Sequence, residues 1–229
     1  YFFYKIISTL NLVVQLKERY PKNTFIPIFW MASEDHDFEE INHINLFNTK
    51  IEWHNKQSGA VGRMHCENFD SVIAELESML GEGDNATRLV QIFKAAYLNN
   101  NLAYATRYLI NEIFGNEGLV IIDGDDKRLK NEFIPVMKID ILEKGLIKTI
   151  QNSSSKLAKD YKVQAFARDI NFFRLSKGKR ELIKDTIDIE EISSHPDRFS
   201  PNVLLRPLYQ ESVLPNIAII GGGAEVSCT

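Results

Sequence analysis

The sequence predicts an α/β fold: a doubly wound, mainly parallel sheet with a small antiparallel connecting insertion. Three apolar runs predict it, each ending in a polar or glycine cluster. Residues 24–32 (TFIPIFWMA) precede Ser33-Glu34-Asp35-His36-Asp37, and residues 118–122 (GLVII) precede Asp123-Gly124-Asp125-Asp126. Residues 216–220 (NIAII) precede Gly221-Gly222-Gly223-Ala224-Glu225. Continuous runs of this length, rich in β-branched and aromatic residues, suit strands buried on both faces.

Taken in order, the chain starts at Tyr1 without an initiator Met and enters helical spacing at Ile6, Leu10, Val13 and Val14. No basic, apolar and small-residue signal pattern precedes that spacing. After the first apolar run, residues 44–54 (INLFNTKIEWH) alternate and read as antiparallel strands. Residues 70–80 form a short helix ended by Gly81. Leu89, Ile92, Phe93, Ala96 and Tyr97 keep i, i+3, i+4 spacing, and Leu102, Ala105, Leu109 and Ile113 repeat it before Gly115. One helix is expected over residues 133–150. Residues 163–184 (VQAFARDINFFRLSKGKRELIK) alternate again, with Lys177-Gly178-Lys179 as a hairpin turn. A glycine turn after a strand normally leads into another element. Both ends therefore read as interruptions of a longer protein, with 1–229 as one core including connecting segments around 44–66 and 163–184.

Composition excludes several classes. At 44% apolar and 25% charged the chain matches a globular average and not a disordered or fibrous one. A net charge of -4 gives no basic field for nucleic-acid backbones. No apolar run approaches the roughly 20 residues of a membrane span. Cys66 and Cys228 are too few for a disulfide scaffold and fit a reducing cytoplasm.

Open parallel sheets bind ligands beyond the carboxyl ends of their strands. One crevice is expected, lined by residues 33–37, 123–126 and 221–225. Glu34, Asp35 and His36 supply an acid/base group there, or ligands for a divalent metal. Alternatively Ser33 or Asp35 caps a following helix. His43 reads as a satisfied, partly buried histidine. Gly221, Gly222 and Gly223 let backbone N–H groups approach a phosphate or form a plain tight turn. The 123–126 cluster reads as a turn, or as a metal or ribose contact. Arg206 clamps a carboxylate or phosphate, or pairs structurally with Glu211 or the acidic cluster. Cys66 has no base beside it in sequence and reads as a buried, inert thiol.

The run Pro27-Ile28-Phe29-Trp30-Met31-Ala32-Ser33-Glu34-Asp35-His36-Asp37-Phe38-Glu39-Glu40-Ile41-Asn42-His43 closely resembles a signature of the bacillithiol biosynthesis cysteine-adding enzymes, a cysteine ligase family. Ser200-Pro201-Asn202-Val203-Leu204-Leu205-Arg206-Pro207-Leu208-Tyr209-Gln210-Glu211 and Leu214-Pro215-Asn216 resemble it too. Ile170-Asn171-Phe172-Phe173 is similar to the family's Asn-Leu-Phe-Tyr strand, and residues 221–225 to its Gly-Gly-Pro-Gly-Glu turn, with Gly223-Ala224 in place of Pro-Gly. The resemblance implies a Rossmann-like core, an appended coiled coil outside this chain, and homodimers. It implies the last step of bacillithiol synthesis, cysteine joined to glucosaminyl malate through an amide bond. Amide formation from a carboxylate is uphill, so ATP is expected as activator, with ADP as a candidate product and Mg2+ as a possible companion. Glu34, Asp35 and His36 are then expected to be catalytic. Ser33, Asp37, Asn42, Asn171, Arg206, Gln210, Glu211, Gly221, Gly222, Gly223 and Glu225 are expected to bind substrate or nucleotide, and no residue is assigned to a metal. The alternatives are a metal-dependent hydrolase using Glu34, Asp35, His36 and Asp37, and a non-catalytic nucleotide-binding scaffold.

Overall fold

A computed structural model describes residues 2–176, 178–185 and 187–223. The chain forms two units: residues 9–124, and residues 1–8 together with 125–229. Helix α1 (Phe2–Arg19) opens it, with Ile6 and Val13 buried at helical spacing. Lys17 and Arg19 occupy its last turn, where cations suit the negative helix end.

In the unit of residues 9–124, the first two apolar runs become β1 (Ile28–Met31) and, farther along, β4 (Val120–Asp123). They pair in parallel, Ile28 opposite Val120 and Met31 opposite Asp123. Between them in sequence, β2 (His43–Leu46) and β3 (Thr49–Glu52) form the expected antiparallel hairpin. Its two-residue turn, Phe47-Asn48, has positive φ at both positions (47° and 65°), the twist that suits a tight hairpin. Helices α2 (Phe69–Leu80), α3 (Asp84–Tyr97) and α4 (Leu102–Phe114) follow the predicted periodicities. Gly81 ends α2 at φ 69°, and Asn101 caps α4 by accepting the Tyr104 N–H at 2.8 Å.

These helices enclose a core containing Trp53, Val61, Met64, Phe69, Ile73, Val90 and Leu109. Phe69 stacks on Tyr97 at 4.4 Å, and Trp53 sets its edge against Phe38 and Phe69. Each such aliphatic or aromatic side chain contributes about 1.5–3 kcal/mol when buried.

The other unit holds α5 (Lys127–Ile141), α6 (Ile147–Leu157), β5 (Phe172–Ser176), β6 (Lys179–Leu182), α7 (Ile189–Ser194), β7 (Phe199–Pro201) and α8 (Arg206–Val213). β5 is the centre of an antiparallel sheet ordered β6-β5-β7. The β5–β6 hairpin falls on the predicted stretch, and Gly178 takes φ 73° in its turn. Lys177 lies outside the described residues.

Three expectations are corrected. The helix expected over 133–150 is two helices. Asp126 accepts the Arg128 N–H at 2.9 Å, so α5 already starts at Lys127. The chain then breaks where Lys144 takes φ 52° and the Gly145 N–H bonds to Ile139 O. The apolar pattern runs straight through this break, which is why periodicity missed it.

Second, residues 216–220 form no strand. Ile217 is 68% exposed, and Ile219 and Ile220 are exposed as well. Isoleucine favours strands, but a neighbouring ladder makes one. The parallel sheet therefore has two strands among the described residues, within a mixed α/β architecture.

Third, no helix follows the acidic cluster. Residues 33–42 turn directly into β2, so neither Ser33 nor Asp35 is an N-cap. Among the described residues, no helix is long and apolar enough to cross a membrane.

Candidate functional site

Because β1 and β4 run parallel, their carboxyl ends lie side by side, which brings Ser33 to Asp123. Ser33 Oγ donates a hydrogen bond to Asp123 Oδ1. The Gly124 N–H bonds to Met31 O at 2.9 Å, and a Cβ on Gly124 would stand 3.0 Å from Trp30 Nε1. The indole thus crowds the space a side chain at 124 would take, and a Cβ there would require Trp30 to shift by a few tenths of an ångström.

Glu34 is buried at 1% exposure, whereas Asp35 and His36 face outward. Asp35 Oδ1 accepts the His36 backbone N–H at 2.8 Å and lies 3.2 Å from His36 Nδ1. A carboxylate at Nδ1 favours the proton there, which leaves Nε2 as the proton-accepting nitrogen. Asp37 is exposed. Among the described residues no group of three or more His, Cys, Asp or Glu side chains is placed to hold a metal ion.

Asn42 is spent on the hairpin: its amide donates to Glu52 at 3.3 Å, and its oxygen lies 2.8 Å from His43 Nδ1. His43 is half-buried and satisfied. Lys50 bonds the Glu52 carboxyl at 2.8 Å and lowers its pKa. Cys66 is buried, and burial pushes its thiol up to about 11, which suits an inert core residue.

In the unit containing residues 125–223, Asp125 and Asp126 have structural tasks. Lys130 is fully buried and donates to Asp125 at 2.8 Å. Asp126 caps α5 and clasps the Arg128 guanidinium at 2.6 Å. Asn171, also fully buried, has all its amide capacity filled. Its NH2 donates to Asp140 at 3.0 Å and to Arg168 O at 2.9 Å, while its oxygen accepts from the Arg168 N–H and Asn202. Burial raises the Asp140 pKa, and its hydrogen bonds from Asn171 oppose the rise.

Asn202 Oδ1 in turn accepts the N–H groups of Leu204 and Leu205 at 3.0 and 3.1 Å. This turn delivers Arg206, half-buried, as the first residue of α8. Gln210 lies one turn on, and Glu211 accepts from Asn216 at 3.0 Å. Gly221 and Gly222 are half-buried and Gly223 exposed, none of them following a strand. Glu225 lies outside the described residues.

Sequence reasoning passed over Lys130 and Asp140. Lys130 carried a faint signal, a cation four residues after Asp126. Asp140 interrupts the apolar face of Phe133, Met137 and Ile141, which marks a buried polar group.

A parallel strand pair with polar groups gathered at its carboxyl end is the arrangement from which open α/β domains build their ligand sites. Residues 1–228 match the family described as "Bacillithiol biosynthesis BshC, N-terminal Rossmann-like domain", and the chain belongs to that family. It is 44% identical over 245 residues to a Flavobacterium johnsoniae protein named "Putative cysteine ligase BshC". It is 43% identical over 244 residues to the protein of that name from Flavobacterium psychrophilum. Each alignment covers 99% of this chain and 46% of the relative. A Staphylococcus carnosus protein of the same name is 28% identical over 265 residues, covering 99% of this chain and 48% of the relative. The chain spans about half the length of the curated relatives it matches.

Proposed function

We propose that this domain belongs to a cytoplasmic, homodimeric ligase that joins the carboxyl group of cysteine to the amino group of glucosaminyl malate, completing bacillithiol. The observation that carries the reading is the Asp35–His36 pair, beyond the carboxyl end of β1 in a member of this family. His36 takes a proton from the attacking glucosamine nitrogen through Nε2, Asp35 orients the imidazole, and the buried Glu34 carboxyl flanks them. Ser33 fixes the loop, and Asp37 and Asn42 border it.

Arg206 takes an anionic group, a malate carboxylate or a nucleotide phosphate, with Gln210 and Glu211 on the same helix. ATP supplies the activation that a free carboxylate needs. The donor chemistry of Arg206 and of the Gly221, Gly222 and Gly223 backbone fits its phosphates. Asn171 supports this segment through Asn202 rather than by touching substrate.

The test is to incubate the whole protein with cysteine, glucosaminyl malate and ATP, and to identify thiol products by mass. Bacillithiol is the expected product, with turnover about 10²–10⁴ lower in His36→Ala. Nucleotide binding without product supports a scaffold instead, and His36→Ala at wild-type rate removes the acid/base role.

A further inference from the structure

We propose that Gly62 is a positioning residue for the loop 33–36, held against it by the short 3-10 turn Val61–Arg63. The proposal rests on the reading of Glu34, Asp35 and His36 as the reacting group. Two successive N–H groups of the turn reach the loop: Gly62 donates to Ser33 O at 2.8 Å, and Val61 donates to Asp35 O at 2.7 Å. The carbonyls on either side of Glu34 are thereby both fixed. Ser33 is held at two points, its carbonyl by Gly62 and its hydroxyl by Asp123.

The approach leaves no room for a side chain. A Cβ on Gly62 would overlap the Ser33 Cβ and stand 2.9 Å from Ser33 O. Gly62 is not among the glycines with positive φ, so space rather than backbone conformation requires glycine here. The turn is itself anchored. Val61 and Met64 are buried in the helical core, and Met64 O accepts the Leu102 N–H at 2.9 Å, at the start of α4. The position of the His36 loop is thus set by the helical layer as well as by the strand it follows. A general base must sit within hydrogen-bond reach of its proton, and a misplacement of about 1 Å can lower a rate about 100-fold.

Gly62→Ala in the whole protein should therefore lower kcat about 10–100-fold with a much smaller change in KM. Amide hydrogen exchange should quicken at residues 34–36 while α2–α4 keep their protection. Ser33→Gly removes the Cβ that the alanine would strike, so the alanine should cost less kcat in a Ser33→Gly background. Val61→Pro is the second variant. It deletes the N–H to Asp35 O and sets the ring Cδ against that carbonyl, so it breaks this hold on the loop at a point other than Ser33. It should quicken the same exchange.

Wild-type kcat and wild-type exchange at 34–36 in both variants would overturn the proposal. So would an equal loss from Gly62→Ala in the two Ser33 backgrounds. If His36→Ala turns over normally while Gly62→Ala still loosens residues 34–36, the clamp stands and the acid/base reading falls.

Discussion

Ser33 and Asp123, 90 residues apart in sequence, are joined by a hydrogen bond across the carboxyl ends of β1 and β4. The Ser33 hydroxyl donates and the Asp123 carboxylate accepts. The parallel register makes the bond possible, because Met31 lies opposite Asp123 and the chain then turns Ser33 back over the adjacent strand end. Ser33→Ala should lower unfolding stability by about 1.5–3 kcal/mol, the range for a hydrogen bond to a charged group. Urea denaturation checks this, and an unchanged midpoint would mean the pair contributes nothing measurable.

Lys130 is fully buried against Asp125, whose side chain is 10% exposed. Removing one partner of a buried pair strands the other charge, so Lys130→Met should cost about 3–5 kcal/mol in thermal or chemical unfolding. Replacing Asp125 as well should recover part of that loss. A double-mutant cycle with no coupling would show the two charges to be independently solvated.

The Cys66 thiol has a pKa raised to about 11 by burial, above its ordinary 9.0. Between those values the unfolded chain releases a proton that the folded chain keeps, so stability falls as pH rises through that window. Tyr97, raised to about 12, adds a fall of the same sign at slightly higher pH. Cys66→Ala should flatten the part of the stability curve between about pH 9 and 11. Native Cys66 should resist iodoacetamide at neutral pH and react once denatured. Rapid native alkylation would show that the thiol is open to solvent.

Arg206→Lys keeps the charge at the start of α8 but loses the planar fork. If Arg206 grips a carboxylate or phosphate, affinity for that ligand should weaken by about tenfold, a change of 1–2 kcal/mol. Calorimetric titration with glucosaminyl malate and with ATP, each alone, identifies which ligand is affected. Unchanged affinity for both leaves Arg206 with a structural role only.

The sequence by itself determined the local elements whose signals are short-range. The α2, α3 and α4 helices follow from i, i+3, i+4 spacing ended by Gly81 and Gly115, and both hairpins follow from alternation around turn residues. It also determined that residues 24–32 and 118–122 would be strands of one parallel pair with their carboxyl ends aligned, which is what brings Ser33 to Asp123. The family signature, from Pro27 to His43 and from Ser200 to Glu211, was likewise legible.

Only the tertiary structure decided the rest. Residues 216–220 have the composition of a buried strand yet form none, because a strand exists through the ladder beside it. Ser33 read as a substrate or nucleotide contact, with a helix cap as the alternative; no helix follows it, and its hydroxyl links to Asp123, since a hydroxyl bonds whichever acceptor the fold brings near. That Asn171 holds Asp140 and Asn202 was not legible either, because both partners lie 31 residues away. An isolated glycine at position 62 carried no signal at all. Its need for space arises from Ser33, a residue brought against it only when the chain has folded.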